Sequence, residues 1–212
     1  MERRGIAIVT FLLVSVVFFS GWMQKEEPTW YVLQPESRIW IEGTSTIHDW
    51  TCEVNEVAGL IETAPHAGET LSLGRVEVSV PVEAIECKKK TMNKKTRKAL
   101  KATEHPHIQY VLEQATVLSV SDEGGFELET SGRLTMAGAE NTIDMTVTGV
   151  PLPDGGFRFT GSAPLLQTDF GIKPPTAVLG TIKTGDRVVV HFDVVAAPRQ
   201  NERETSSAPG EF

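Results

Sequence analysis

Positive charge is scarce in this chain. Twenty Lys and Arg stand against 28 Asp and Glu, leaving a formal net charge of −8. A surface of that sign repels phosphate backbones, so nucleic acid is not an expected partner. It also disfavours non-specific adhesion to anionic lipid. Catalytic signatures are missing as well: there is no G-x-S-x-G, no H-E-x-x-H and no P-loop. No residue is therefore assigned a catalytic role, and a binding protein, not an enzyme, is the expectation. Cysteine is nearly absent, with only Cys52 and Cys87. Long helical patterns are missing too, apart from one segment. What remains is 40% hydrophobic and 23% charged, which suits a globular chain rather than a disordered one. The length suits a single barrel domain.

The N-terminus carries a targeting signal. Arg3 and Arg4 precede an apolar run from Ile6 to Ser20. Positive charge followed by such a run reads as a secretory signal peptide over residues 1–23. A retained anchor over residues 6–23 is the alternative, because the run extended through Met23 is just long enough to span a bilayer. Either version places the rest of the chain outside the cytoplasm, periplasmic or secreted. No cysteine follows the run, so a lipoprotein anchor is unsupported. In such a compartment the two cysteines are expected to pair. The bond would close a loop of about 35 residues, for which chain entropy gives about 3.5–4 kcal/mol.

Residues 24–31, with Pro28, read as a linker, and the polar stretch 198–212 reads as a disordered tail. Between them, 32–197, short β-rich runs alternate with turns. Strands are expected at 38–42, 53–61, 75–82, 107–117, 126–134, 142–150, 157–161 and 187–196. In the third, Val76, Val78, Val80 and Val82 alternate with more polar residues, which buries one face and wets the other. Asp-Glu-Gly-Gly at 122–125 and Asp-Gly-Gly at 154–156 are hairpin connections. Residues 136–139 and 184–186 are also turn-like. The exception is 88–104, rich in helix formers and ended by Pro106. Met92, Thr96, Ala99, Leu100 and Thr103 share one face of that helix, and its eight Lys and Arg form a basic patch.

The predicted fold is all-β: an antiparallel barrel of about eight strands with one short helix. Closure hides strand edges that would otherwise invite aggregation. A barrel of this size is either filled by side chains or holds one small ligand. Alternation selects the inward candidates: Val78, Val80, Ile108, Tyr110, Leu112, Phe126, Leu128, Met145, Phe159, Val190 and Phe192.

Four stretches carry a family resemblance. They are Ser-Arg-Ile-Trp-Ile-Glu-Gly-Thr-Ser-Thr-Ile-His-Asp-Trp at 37–50, the helix and following strand from Met92 to Ile108, Ser-Gly-Arg-Leu-Thr-Met-Ala-Gly at 131–138, and Thr-Asp-Phe-Gly-Ile at 168–172 with Thr-Ile-Lys-Thr-Gly-Asp-Arg-Val at 181–188. In that order they resemble the YceI-like family of lipocalin-like, polyisoprenoid-binding periplasmic proteins. The resemblance implies an extended antiparallel barrel with the helix against its mouth or side. It also implies a bound isoprenoid or other long-chain, fatty-acid-like lipid, with no other cofactor. Phe170 and Ile172 join the candidate lining because the family-like stretch precedes a loop at the mouth. The cysteine pair departs from the family's common pattern; bridged, it ties the loop after 48–50 to the start of the basic helix.

Membrane contact is expected only through an uncleaved N-terminus or during lipid exchange. The oligomeric state, a homodimer included, stays open. The alternative function is a structural or interaction module with a filled lumen, acting through its surface or basic helix. His48, Asp49, His105 and His107 raise the question of a metal or acid–base site. His105 and His107 would share a face on a strand, yet no third ligand is evident, and no metal is assigned. His48 and Asp49 are expected to organise a turn, with Asp49 accepting backbone N–H groups.

Overall fold

The chain alternates inward and outward residues over long stretches, and that pattern builds the sheet. A computed structural model describes residues 28–64, 72–177 and 181–199. The expected signal or anchor segment and residues 200–212 of the tail lie outside them. The strands are β1 (Thr29–Leu33), β2 (Arg38–Ser45), β3 (Trp50–Val54), β4 (Ala58–Ala64), β5 (Ser72–Pro81) and β6 (Ile85–Cys87), then helix α1 (Lys90–Ala99). They continue as β7 (His107–Val120), β8 (Phe126–Met136), β9 (Ala139–Pro151), β10 (Phe157–Leu166), β11 (Thr176–Ala177) and β12 (Ile182–Pro198).

Eight of these strands close into an antiparallel ring in the order β1-β4-β5-β7-β8-β9-β10-β12, with β12 returning to β1. The expected barrel is present, with one α-helix among the described residues. β12 is long enough to serve two partners on one edge. Thr184 to Asp193 pair with β2, and Ala196 to Pro198 pair with β1. The corner between β1 and β2 is pinned where one partner hands over to the other. There the Gln34 N–H donates to the Val195 carbonyl at 2.8 Å, and the Val195 N–H donates to Ser37 Oγ at 3.1 Å. β3 and β6 extend the sheet from β2, and β11 pairs with the start of β12.

Alternation is clearest in β8. Phe126, Leu128, Thr130, Gly132, Leu134 and Met136 are buried, and the residues between them are half-buried or exposed. On the outside, Arg133 pairs with Glu113 at 2.8 Å.

Several boundaries differ from the sequence reading. β1 includes Thr29, Trp30 and Tyr31, which were expected in the linker; the β-prone Thr-Trp-Tyr-Val run outweighs the neighbouring Pro28. Residues 53–61 form no continuous strand. The chain bends after Val54, the Asn55 N–H donates to the Ala84 carbonyl at 2.9 Å, and β4 restarts with new partners, β1 and β5. β10 runs past Gly161 to Leu166. Gly161 marks a close approach rather than an end: a Cβ there would lie 2.5 Å from Phe192 Cζ. Pro164 is tolerated because beyond Gly161 β9 no longer pairs with β10, leaving β12 as its one partner strand among the described residues. At the other end of the domain, Pro198 still belongs to β12 and the Arg199 N–H donates to the Trp30 carbonyl at 2.7 Å, so the ordered chain outlasts the expected tail boundary.

The helix is also shorter than 88–104. It stops at Ala99, where Lys101 takes a positive φ of 53°, so the chain turns before Pro106 is reached. His107 opens β7, but His105 lies in the preceding turn beside Gly138, so the two histidines do not share a strand face.

Candidate ligand site in the barrel lumen

Inward residues meet two different fates. At the end of the barrel bearing the turns at 121–125 and 152–156, they pack solid. Tyr31, Phe126, Phe157 and Phe159 stack edge to face or tilted, with ring centroids 5.4–6.1 Å apart. Ile61, Leu128, Val147, Val194 and Ala196 complete this plug.

Toward the other end the strands enclose a cavity of about 520 Å³. Its wall takes Val76, Val78 and Val80 from β5, Ile108, Tyr110 and Leu112 from β7, and Leu128, Thr130, Leu134 and Met136 from β8. Ile143, Met145 and Val147 of β9, Phe159, Ala163 and Leu165 of β10, and Val188, Val190, Phe192 and Val194 of β12 continue it. Many of these inward apolar side chains, Val78, Ile108, Leu112, Met145 and Val190 among them, are only half-buried because they face a hollow. The lumen is therefore open rather than filled. Its volume falls within the range of about 300–1,000 Å³ typical of small-molecule sites.

Of the candidate lining residues, all but Phe126 and Phe170 line this cavity. Phe126 points inward, as its parity requires, but at the plugged end, where it is 7% exposed. Phe170 lies in the short 3₁₀ turn Gln167–Phe170 and is 2% exposed among Leu134, Met136, Ala163 and Leu165. Ile172, two residues on, does reach the wall. Asp169, in the same turn, acts through its backbone carbonyl, which accepts from Asn141 Nδ2 at 2.9 Å.

Several wall residues were not chosen from the sequence. Ile39 and Ile41 of β2 and Trp50 of β3 form one side of the mouth. Helix α1 lies across that mouth, with Met92, Thr96, Ala99 and Leu100 facing the cavity. Those four had been grouped on one helical face; what the sequence did not indicate was that the face covers a hollow.

The wall is almost uncharged. None of its residues is Asp or Glu, and Lys89, Lys95 and His48 sit at its rim. The polar exceptions deep inside are Thr130 and Tyr110. Thr130 Oγ1 donates to the Met145 carbonyl at 3.0 Å. The Tyr110 hydroxyl is buried near Thr130 but meets no partner with hydrogen-bond geometry. Burial raises the Tyr110 phenol above its ordinary range; Thr130 opposes the rise, and Asp144 and Glu113 add to it. The ring lies flat against Gly132, where a Cβ would stand 2.5 Å from the Tyr110 hydroxyl oxygen, so only glycine leaves it room.

Two features fasten the mouth. The Cys52–Cys87 disulfide forms as expected and joins β3 to β6, three residues before α1. The 46–49 turn is held by Ser45. Its Oγ donates to the His48 carbonyl at 2.7 Å and accepts the His48 N–H at 3.2 Å. Ser45, not Asp49, thus gathers the backbone of this turn. His48 Nδ1 lies 2.8 Å from the Asp49 carbonyl oxygen. Among the described residues no three His, Cys, Asp or Glu side chains converge as metal ligands would, and no helix is long and apolar enough to cross a membrane.

Comparison with known proteins fits this architecture. Burkholderia cenocepacia BcnA superposes with a TM-score of 0.60 at 15% identity, covering 76% of this chain and 96% of its own. A polyisoprenoid-binding domain from Saccharophagus degradans gives 0.63 at 11% identity, covering 80% and 98%. The Campylobacter jejuni YceI protein gives 0.54 at 15% identity, covering 71% and 85%. At such identities these likenesses speak to the fold alone. No curated protein matches the sequence. The YceI-like domain model matches residues 30–196, the whole barrel with its helix, and the chain belongs to the YceI-like family.

Proposed function

We propose that this protein is an exported, non-catalytic carrier that holds one apolar, chain-like lipid, isoprenoid or fatty-acid-like, in its lumen. The observation that carries the reading is the hollow itself: about 520 Å³ walled by aliphatic and aromatic side chains, without a carboxylate. Each CH₂ buried there contributes about 0.8 kcal/mol, so a ten-carbon stretch supplies on the order of 8 kcal/mol before the costs of association. No ion pair is needed to bind such a molecule. The almost uncharged wall disfavours highly charged ligands, because a buried charge without a partner costs several kcal/mol.

Export rests on the N-terminal basic-then-apolar segment and on the disulfide, which persists in oxidising compartments. A polyisoprenoid is favoured within the lipid class because a structural neighbour of the same fold is described as binding one.

Native mass spectrometry of protein recovered from a bacterial envelope tests the reading. The expected spectrum shows one apolar molecule per chain, released on denaturation and identified as a long-chain lipid. Cargo-free protein that also fails to take up prenol or fatty-acid probes would overturn it and leave the interaction-module reading.

A further inference from the structure

Residues 88–101, at the mouth of the barrel, bear a charge opposite to that of the whole chain, with eight Lys and Arg and no carboxylate. Lys88, Lys89, Lys90, Lys94 and Lys98 are exposed, and among the described residues none of the five has an ion-pair partner. The neighbouring cations are used internally. Lys95 Nζ donates to the Thr176 carbonyl at 2.6 Å, Lys101 Nζ to the Ala137 carbonyl at 2.9 Å, and Arg97 pairs with Glu83 at 3.0 Å.

The placement of Lys88, Lys89 and Lys90 is locally unfavourable. Helix α1 starts without a side-chain cap and without an acidic residue in its first turn, while lysines occupy its beginning. Lys88, Lys89 and Lys90 face the positive end of the helix dipole, where an anion would be welcome, while Lys98 sits in the last turn.

The rest of the rim continues the pattern. Thr176 pairs with Lys183, and the Lys183 N–H donates to Thr46 Oγ1 at 3.3 Å, linking α1 through β11 and β12 to the 46–49 turn. That turn presents Ile47, which lines the cavity yet is 62% exposed. Asp49 is the one carboxylate of the turn. At the opposite end, the turns carry Glu36, Asp122, Glu123 and Asp154.

We infer that this rim is a docking surface for an anionic lipid bilayer, which it meets mouth-first. The lysines sit at headgroup level, Ile47 enters the acyl boundary, and the acidic far end points away. The whole-chain charge, which disfavours such contact, is outweighed because screening limits each charge to about 8–10 Å and the far-end carboxylates lie on the opposite turns. The inference extends the carrier reading by naming where the cargo crosses.

Vesicle co-sedimentation of delipidated full-length mature protein tests it without cargo. Binding is expected to phosphatidylglycerol-containing vesicles at low salt, little to pure phosphatidylcholine, and a fall as salt rises. Replacing all five lysines with Gln, which keeps helix propensity, should weaken partition at least about tenfold. A milder variant, Ile47→Ser, lies on a turn, leaves the helix intact and should weaken binding without changing its salt dependence. Circular dichroism confirms that both variants fold. Absence of anionic-vesicle binding by the parent protein, equal binding to neutral vesicles, or full binding by the five-Gln variant overturns the inference. Cargo-loaded protein that ignores vesicles would leave the carrier reading standing and remove this one; vesicle binding by a protein that never loads lipid would do the reverse.

Discussion

The two ends of this barrel are built from the same alternation and do opposite things. At the plugged end, β1 closes the ring and four aromatic rings fill it. At the open end, β12 is paired with β2 instead, the sheet turns outward into β3 and β6, and a helix must cover the gap. Side-chain chemistry differs less than geometry does: Phe126 and Ala196 lie in the plug, Phe192 and Ala163 on the hollow wall. Inward apolar residues therefore yield core where strands converge and a ligand site where they splay.

The contrast can be broken from either end. The largest stability effect belongs to the plug. Phe126→Ala should cost about 3–5 kcal/mol in denaturant unfolding, as buried aromatic truncations do, while the folded fraction keeps its cargo. Cargo loss with unchanged stability would place Phe126 on the site rather than in the plug. Next is the fastening of the mouth. The Cys52→Ser, Cys87→Ser double variant should lose about 2–4 kcal/mol; an unfolding midpoint that does not move on reduction would show that the bond secures nothing. Leu112→Trp should change stability by less than about 3 kcal/mol, as small-to-large substitutions do, yet displace lipid in native mass spectra. Full lipid stoichiometry in a folded variant would remove Leu112 from the wall.

The smallest effect lies outside the barrel. Arg158 Nε donates to Asp193 Oδ1 at 2.6 Å across β10 and β12, and that hydrogen bond holds the Asp193 carboxyl below its ordinary range despite partial burial. A depressed carboxyl stabilises the fold above its unfolded value of about 3.9 and loses that contribution as pH falls through the lower folded value. The pair is solvent-exposed, so Asp193→Asn should flatten acid unfolding only slightly. A large drop at neutral pH would mean the pair does more than bridge two strands.

Much of this was legible in the residues. Period two identified the inward faces of β5, β7, β8, β9 and β12, and the Gly-containing turns marked the β7–β8 and β9–β10 hairpins. Depth along the barrel was not legible. Parity tells which side of a strand a residue faces; tilt and register decide whether it meets the plug or the hollow, and so Phe126 was placed on the site. Phe170 was named for another reason, the family-like stretch before a loop, and nothing in that stretch indicated that its 3₁₀ turn buries the ring. The break between β3 and β4 was hidden because Asn55 and Glu56 interrupt an otherwise strand-like run, and only the change of partners shows that one strand has become two. The helix's role as a cover depends on long-range closure that no local pattern encodes.

The pairing of β1 with the last residues of β12 also sets a clock. Tyr31 meets Pro198 and Leu33 meets Ala196, contacts that span nearly the whole domain. A chain delivered N-terminus first can form its β7–β8 and β8–β9 hairpins early, since those pairings are local. The ring stays open until the final strand arrives, and such non-local closure is slow. During that interval the valine-rich edges and the aromatic plug are both exposed to water. The nascent protein is then a strand-edged, sticky intermediate, and its hazard of aggregation falls before the barrel closes.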